Sequence, residues 1–337
     1  DAGDVAADGV TGTFTVASDV ASAQINAVLA KTATGATVTV NAATMDAAQK
    51  GVVEDNIAKV DTLTNLTLAS GEDATEIAAL LNVAGAGSVS VDATGMVAAQ
   101  LAAIHDAAGA ADSGAGIAKI ATNGITGDLA ISRTGLTEIE MNGLLGKAST
   151  AANVTVDANN MSTTELQDLH DNIARIDSIT NATVTTTEEA AEIGSILSKA
   201  TDATVTATSM TAAELTAVAD NIGNVAAGGL GTTLTLTSAQ SVDEISALMG
   251  TATTDNNVAV VATGMSALQL NAVAAEIAEV GAITGALDGL TSGVTASDIA
   301  TLFGQYTGTT AAVLATGMTS AQLTAIDATK VAANGVT

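Results

Sequence analysis

Two histidines, 36 acidic residues and nine basic residues carry nearly all the titrating chemistry of this 337-residue chain, which has no cysteine. His105 and His170 fall at equivalent points of two similar helical segments, where other copies carry Glu54, Ala219 and Asp327. A position that accepts alanine and aspartate reads as a solvated helix face, not as a metal ligand. Asp55-Asn56, Asp171-Asn172 and Asp220-Asn221 recur in the helices. They could form a ladder or bind cations, and exposed helix polarity explains them more simply. No nucleophile–base pair can be assembled and no phosphate-cradling glycine loop is present. The sequence therefore predicts a protein that is not an enzyme.

Asn65, Asn153, Asn160 and Asn181 each begin an Asn-X-Ser/Thr sequon and are candidate glycosylation sites. Three of them also align with glycines: Asn65 and Asn181 with Gly127 and Gly285, and Asn160 with Gly95 and Gly264. Asparagine tolerates a left-handed backbone better than other non-glycine residues, so turn geometry is a competing reason for these three. Thr39, Thr67, Thr155, Thr206 and Thr235 form the candidate binding face. They alternate with apolar residues in β-like runs and should project from the open side of a sheet. Regular threonine ranks suit glycans or ice, although cross-strand packing and β propensity also favour them.

The elements that place these residues come from a repeat. Val154–Leu166 returns as Val89–Leu101, and again around Met45, Met210, Met265 and Met318. Long units pair a strand such as Val38-Thr39-Val40 with a helix carrying Leu166, Leu169, Ile173 and Ile176. Short units pair a strand such as Leu66-Thr67-Leu68 with a helix carrying Ile77, Leu80 and Leu81. The spacings of three and four put those residues on one helical face. The sequence holds about twelve units of roughly 28 residues.

The helix starts are well marked. Ser162 with Glu165, Thr211 with Glu214, Ser266 with Gln269 and Thr319 with Gln322 spell capping boxes, at about 1 kcal/mol per cap. Met161, Met210, Met265 and Met318 precede the caps, and Leu166, Leu215, Leu270 and Leu323 follow them as hydrophobic staples. Val97 cannot cap, and Lys50 cannot staple as leucine does. Lys59, Lys119, Arg175 and Lys330 fall at the ends of long helices, and Lys31, Lys147 and Lys199 at the ends of short ones. Cations there should complement the negative end of the helix dipole.

Strand, helix and parallel strand in succession imply right-handed crossovers. Alternating strands imply helices on one face only. The expected fold is α/β: a right-handed solenoid of about twelve strand-helix units with one parallel sheet, forming a single continuous array over residues 1–337. Its curvature would resemble the leucine-rich-repeat horseshoe, without that family's Leu and Asn signature. The stretch around Gly109 to Gly116 reads as an insertion. The segments Asp1–Thr11 and Asp327–Thr337 agree at eight of eleven positions. That match in repeat phase suggests either an excerpt of a longer array or a subunit that stacks head to tail.

A net charge of -27 argues against nucleic acid and anionic membranes as partners. No apolar run is long enough for membrane insertion. No cofactor is expected, and calcium is the one ligand that the acidity leaves open. The TVTVDATGM-like strand-turn and the AAQL and EISALL helix openings resemble the Ala/Thr/Val-rich tandem-repeat arrays of giant secreted bacterial surface proteins of the cyanobacterial type. That resemblance implies an extracellular or cell-surface structural protein, such as a filament, sheath or S-layer, whose partners are copies of itself head to tail. The alternative is an adhesin for glycans, or an ice-binding module, using the threonine face.

Overall fold

The computed structural model describes residues 5–107, 109–231, 233–252 and 258–337. The elements run β1 (Thr13–Val16), α1 (Ser22–Ala30), β2 (Thr37–Asn41), α2 (Ala47–Asp55), β3 (Thr62–Thr64), β4 (Thr67–Leu68), α3 (Ala74–Val83), β5 (Val89–Asp92), α4 (Ala98–Asp106), β6 (Ile120–Thr126), β7 (Asp128–Ser132), α5 (Glu138–Lys147) and β8 (Asn153–Asp157). They continue with α6 (Thr163–Asp171), β9 (Ser178–Thr180), β10 (Thr183–Val184), α7 (Ala190–Lys199), β11 (Ala200–Thr201), β12 (Ala203–Val205), α8 (Ala212–Asp220), β13 (Val225–Leu230), β14 (Leu234–Leu236) and α9 (Val242–Thr251). The last are β15 (Val258–Val261), α10 (Ala267–Ala275), β16 (Val280–Thr284), α11 (Ala296–Gln305), β17 (Ala311–Val313), α12 (Ser320–Thr324) and β18 (Val331–Val336). The chain folds as two compact units, one of Asp1–Asp157 with Asp171–Ser178 and one of Ala158–His170 with Ile179–Thr337. Asp1 to Asp4, which belong to the matched end segments, lie outside the described residues.

Every recorded strand pairing is parallel, as the repeat requires, but the strands do not form one sheet. In the first unit the orders are β1-β2-β3 and β4-β5-β6, with β7 beside β8. In the second they are β10-β12-β13 and β14-β15-β16, with β9 beside β11 and β17 beside β18. The breaks have a local cause. Asn65, with φ of 54°, separates β3 from β4, and Gly127, with φ of 75°, separates β6 from β7. On either side of such a residue the chain serves different neighbours: β3 pairs with β2, and β4 with β5. At these residues one small sheet ends and the next begins, whereas left-handed Asn123 and Gly228, inside β6 and β13, are absorbed as bulges that shift the register.

The alternation holds in strands such as β2, β5 and β8, but not in β6 and β13, where a left-handed residue leaves two adjacent residues buried. Val38 and Val40 of β2 are buried while Thr37, Thr39 and Asn41 are not. The inward residues meet Ile25, Leu29, Ile77, Leu80, Leu81 and their counterparts, all fully buried. Aliphatic side chains therefore make most of the core, and the aromatic Tyr306 is the largest fully buried side chain among the described residues.

The four capping boxes form as spelled. Ser162 N donates to Glu165 Oε2 at 2.6 Å, and Ser266 N to Gln269 Oε1 at 2.8 Å, with the serine oxygens accepting the reciprocal bonds. Thr211 with Glu214 and Thr319 with Gln322 do the same. At Val97 only half a box remains, Val97 N donating to Gln100 Oε1. Where the N3 residue is glutamine, its amide also reaches the preceding short unit. Gln49 Nε2 donates to Val20 O at 2.7 Å, Gln100 Nε2 to Glu72 O at 2.5 Å and Gln322 Nε2 to Val294 O at 2.6 Å. The cap thus doubles as a clip between successive units.

Two expectations need correction. The long helices stop before Ile173 and Ile176: α6 ends at Asp171, and Ile173–Arg175 forms a separate 3-10 turn. Asn56 and Asn221 cause comparable stops at α2 and α8, because their side-chain amides donate to Val52 O and Ala217 O, at 2.9 Å each. The cations beyond these stops serve a different helix from the one expected. Lys59 Nζ donates to Thr32 O at 2.8 Å, Lys119 Nζ to Ala84 O at 2.8 Å, Arg175 Nη1 to Ala148 O at 2.7 Å and Lys330 Nζ to Tyr306 O at 2.7 Å. Each acceptor closes the preceding short helix, so the dipole that is neutralised belongs to the neighbouring unit.

Candidate functional site

The threonines predicted to line an open face do stand on the outer side of their strands. Thr67 is exposed, and Thr39, Thr155, Thr206 and Thr235 are half-buried. Register decides how far they form ranks. Thr15, Thr39 and Thr62 sit side by side across β1, β2 and β3, and Thr67 faces Ser90. Thr155 instead faces Ala130, and Thr235 faces Ala259, which faces Ala282. Thr206 follows the end of β12. The hydroxyl ranks are therefore two or three residues wide and interrupted by alanine.

The sequon asparagines are all exposed. Asn65, Asn160 and Asn181 have φ of 54°, 57° and 54°, and the aligned Gly95, Gly127, Gly264 and Gly285 have φ of 74° to 76°. Asparagine there fulfils the turn requirement read from the sequence. Asn153 opens β8 and donates from Nδ2 to Asp128 Oδ1 at 3.1 Å, while Asn65 Nδ2 donates to Asn41 Oδ1 at 3.1 Å.

The histidines differ from the expected solvated pair. His105 is only 2% exposed, and its Nδ1 lies 2.7 Å from Asp106 Oδ1. Space for the ring comes from Gly143 on α5, where a Cβ would approach His105 Cδ2 to 2.5 Å. His170, half-buried, sits 2.6 Å from Ser195 Oγ, which itself donates to Glu192 O at 2.9 Å. Ser195 holds in α7 the place that Gly143 holds in α5. A serine whose proton goes to a main-chain carbonyl is not activated as a nucleophile.

Buried carboxylates are the feature that the sequence reading missed. The residue before the short-helix cap is Glu72, Glu188 or Gln240 in three copies, all buried. Glu72 meets Lys50, the residue unable to act as a staple: Lys50 Nζ donates to Glu72 Oε1 at 2.8 Å and to Thr67 O at 2.6 Å. Glu188 has Leu166 at the Lys50 position. Its Oε1 accepts from Thr187 Oγ1 at 2.8 Å and Thr163 Oγ1 at 3.2 Å, and its Oε2 from Thr185 N at 2.6 Å. Those hydroxyls replace Ala47 and Gly71 of the Lys50 copy. They line a hollow of about 320 Å³ with Asn160, Leu166 and Thr183.

At the third position of the short helices, Glu76 is pushed up to about 6, chiefly by burial and then by Glu72, Asp73 and Glu54, with Lys50 opposing. Burial also raises Glu192. Glu244 moves down because the Thr216 hydroxyl bonds it. Among the described residues no group of three or more His, Cys, Asp or Glu could hold a metal ion, and no helix is long and apolar enough to cross a membrane. No protein-family model matches the chain, and the comparison with curated proteins likewise finds no match.

Proposed function

We propose that the chain is a non-enzymatic structural repeat protein of the cell surface or extracellular space, a right-handed solenoid in design, that builds a filament, sheath or layer by head-to-tail stacking. The observation that carries the reading is the last strand-helix unit. Val336 is 52% exposed and Leu323 44%, whereas their counterparts Ile283 and Leu270 are fully buried. β18 pairs with β17 on one side. Such an edge accepts one further unit of the same kind, from the same array or from a second copy, because an unpaired parallel edge is a template for pairing. Under the head-to-tail reading a second copy donates that unit.

The extracellular assignment rests on the resemblance to secreted surface arrays and on the exposed sequons. Electron microscopy of concentrated purified protein should show fibres or a lattice. Dispersed monomers at high concentration would overturn the proposal. A second reading, glycan binding, is favoured by the threonine-lined hollow at Glu188. Replacing Thr163 and Thr187 by valine should abolish such binding and leave assembly unchanged.

A further inference from the structure

One position of the repeat breaks the clip between units. In the 3-10 turn after each long helix, Lys59, Lys119, Arg175 and Asn224 present a donor to carbonyl oxygens that close the preceding short helix. The same place after α10 holds Glu279. A carboxylate cannot donate, and its Oε2 is buried without a hydrogen-bond partner. The carbonyls it inherits by repeat register are those of Met249 and Ala252 at the end of α9. They correspond to Phe303 and Tyr306, which accept from Lys330.

From this exchange we propose that a hard metal cation of the calcium class bridges Glu279 and the carbonyl end of α9. It takes the place that an ammonium, guanidinium or amide fills in the sibling units. The argument is electrostatic. Carbonyl oxygens at a helix end carry the negative pole of the dipole. A carboxylate at this register adds negative charge beside that pole, and its buried, unpartnered oxygen is costly without a positive partner. Carboxylate and carbonyl oxygens are the ligands that calcium selects, with water completing the shell. A single carboxylate makes the site weak, with a dissociation constant on the order of 10⁻³ M.

The test is thermal unfolding of the chelator-treated chain during calcium titration at fixed ionic strength. The wild type should show a rise in melting temperature that grows with the logarithm of calcium above the dissociation constant, on the order of 2 °C at ten times that constant. Glu279→Lys should restore the clip, melt higher than the wild type in chelator and lose the calcium increment. Glu279→Gln, which keeps the side-chain length and gains a donor, should lose it too. Glu276→Gln, at an exposed carboxylate three residues earlier, should keep it. Potassium or magnesium at equal ionic strength should not reproduce the rise. A wild type indifferent to calcium would overturn the proposal, as would an increment that survives in both Glu279 variants.

Discussion

Glu76 and Glu244 hold the same place in two copies of the repeat and titrate in opposite directions. Burial and then the neighbouring carboxylates Glu72, Asp73 and Glu54 raise Glu76, while Thr216 on the facing helix gives Glu244 a hydroxyl that Gly51 cannot give Glu76. A Cβ at Gly51 would sit 3.6 Å from Glu76 Oε1, an ordinary contact. Gly51→Ser should therefore supply the missing donor, lower the Glu76 pKa and stabilise the helix by about 0.5–1 kcal/mol. Denaturant unfolding and carboxyl titration by NMR would check both effects. The sign of the pH effect follows from the folded pKa near 6 against the ordinary 4.5. Between those values the folded chain keeps a proton that the unfolded chain has lost. The contribution is present below about 4.5 and is lost as pH rises through 6. The stability of Glu76→Gln relative to wild type should rise across that window and stay level above it; a flat difference would rule this out. Gly143→Ala tests the other filled space. Alanine normally favours a helix, but here it meets His105 and should cost about 1–3 kcal/mol, with His105→Ala relieving the clash. The left-handed asparagines were legible in the sequence because φ is a local demand. The burial of His105 was not, because it depends on a glycine 38 residues further along the chain.

Between elements, three copies give three answers to one buried side chain: an ion pair at Glu72, hydroxyls at Glu188 and a neutral amide at Gln240. Lys50→Leu alone should leave Glu72 buried without its cation and cost about 3–5 kcal/mol. Lys50→Leu with Glu72→Gln reproduces the Leu215 and Gln240 pairing of another copy and should return to within about 1 kcal/mol of wild type. A double variant as unstable as the single one would show that the loss comes from packing around Lys50. Helix starts were readable at this scale because a capping box closes within four residues. The destinations of the lysines were not. Sequence shows that Lys59 follows a helix, but only the parallel return of the chain brings it to the end of the helix before. The single sheet failed for a related reason. The residues that kink the strands were identified, but their effect on pairing appears only when both neighbours of a strand are in place.

For the whole molecule, charge and the proposed contact pull in opposite directions. Copies carrying a net charge of -27 repel one another, and that repulsion acts over a distance set by salt, about 8 Å at physiological ionic strength. The contact itself is apolar, made from Val336, Leu323 and one strand edge, so salt should not weaken it. Assembly should therefore be poor at low ionic strength and increase with sodium chloride, as followed by sedimentation. Val336→Asp with Leu323→Asp should hold the chain dispersed at every salt concentration while leaving its circular dichroism unchanged, because both side chains are about half exposed in the isolated chain. The opposite salt dependence would mean that the copies meet through ion pairs. The apolar edge would then have some other partner, and head-to-tail stacking would lose the observation that carries it.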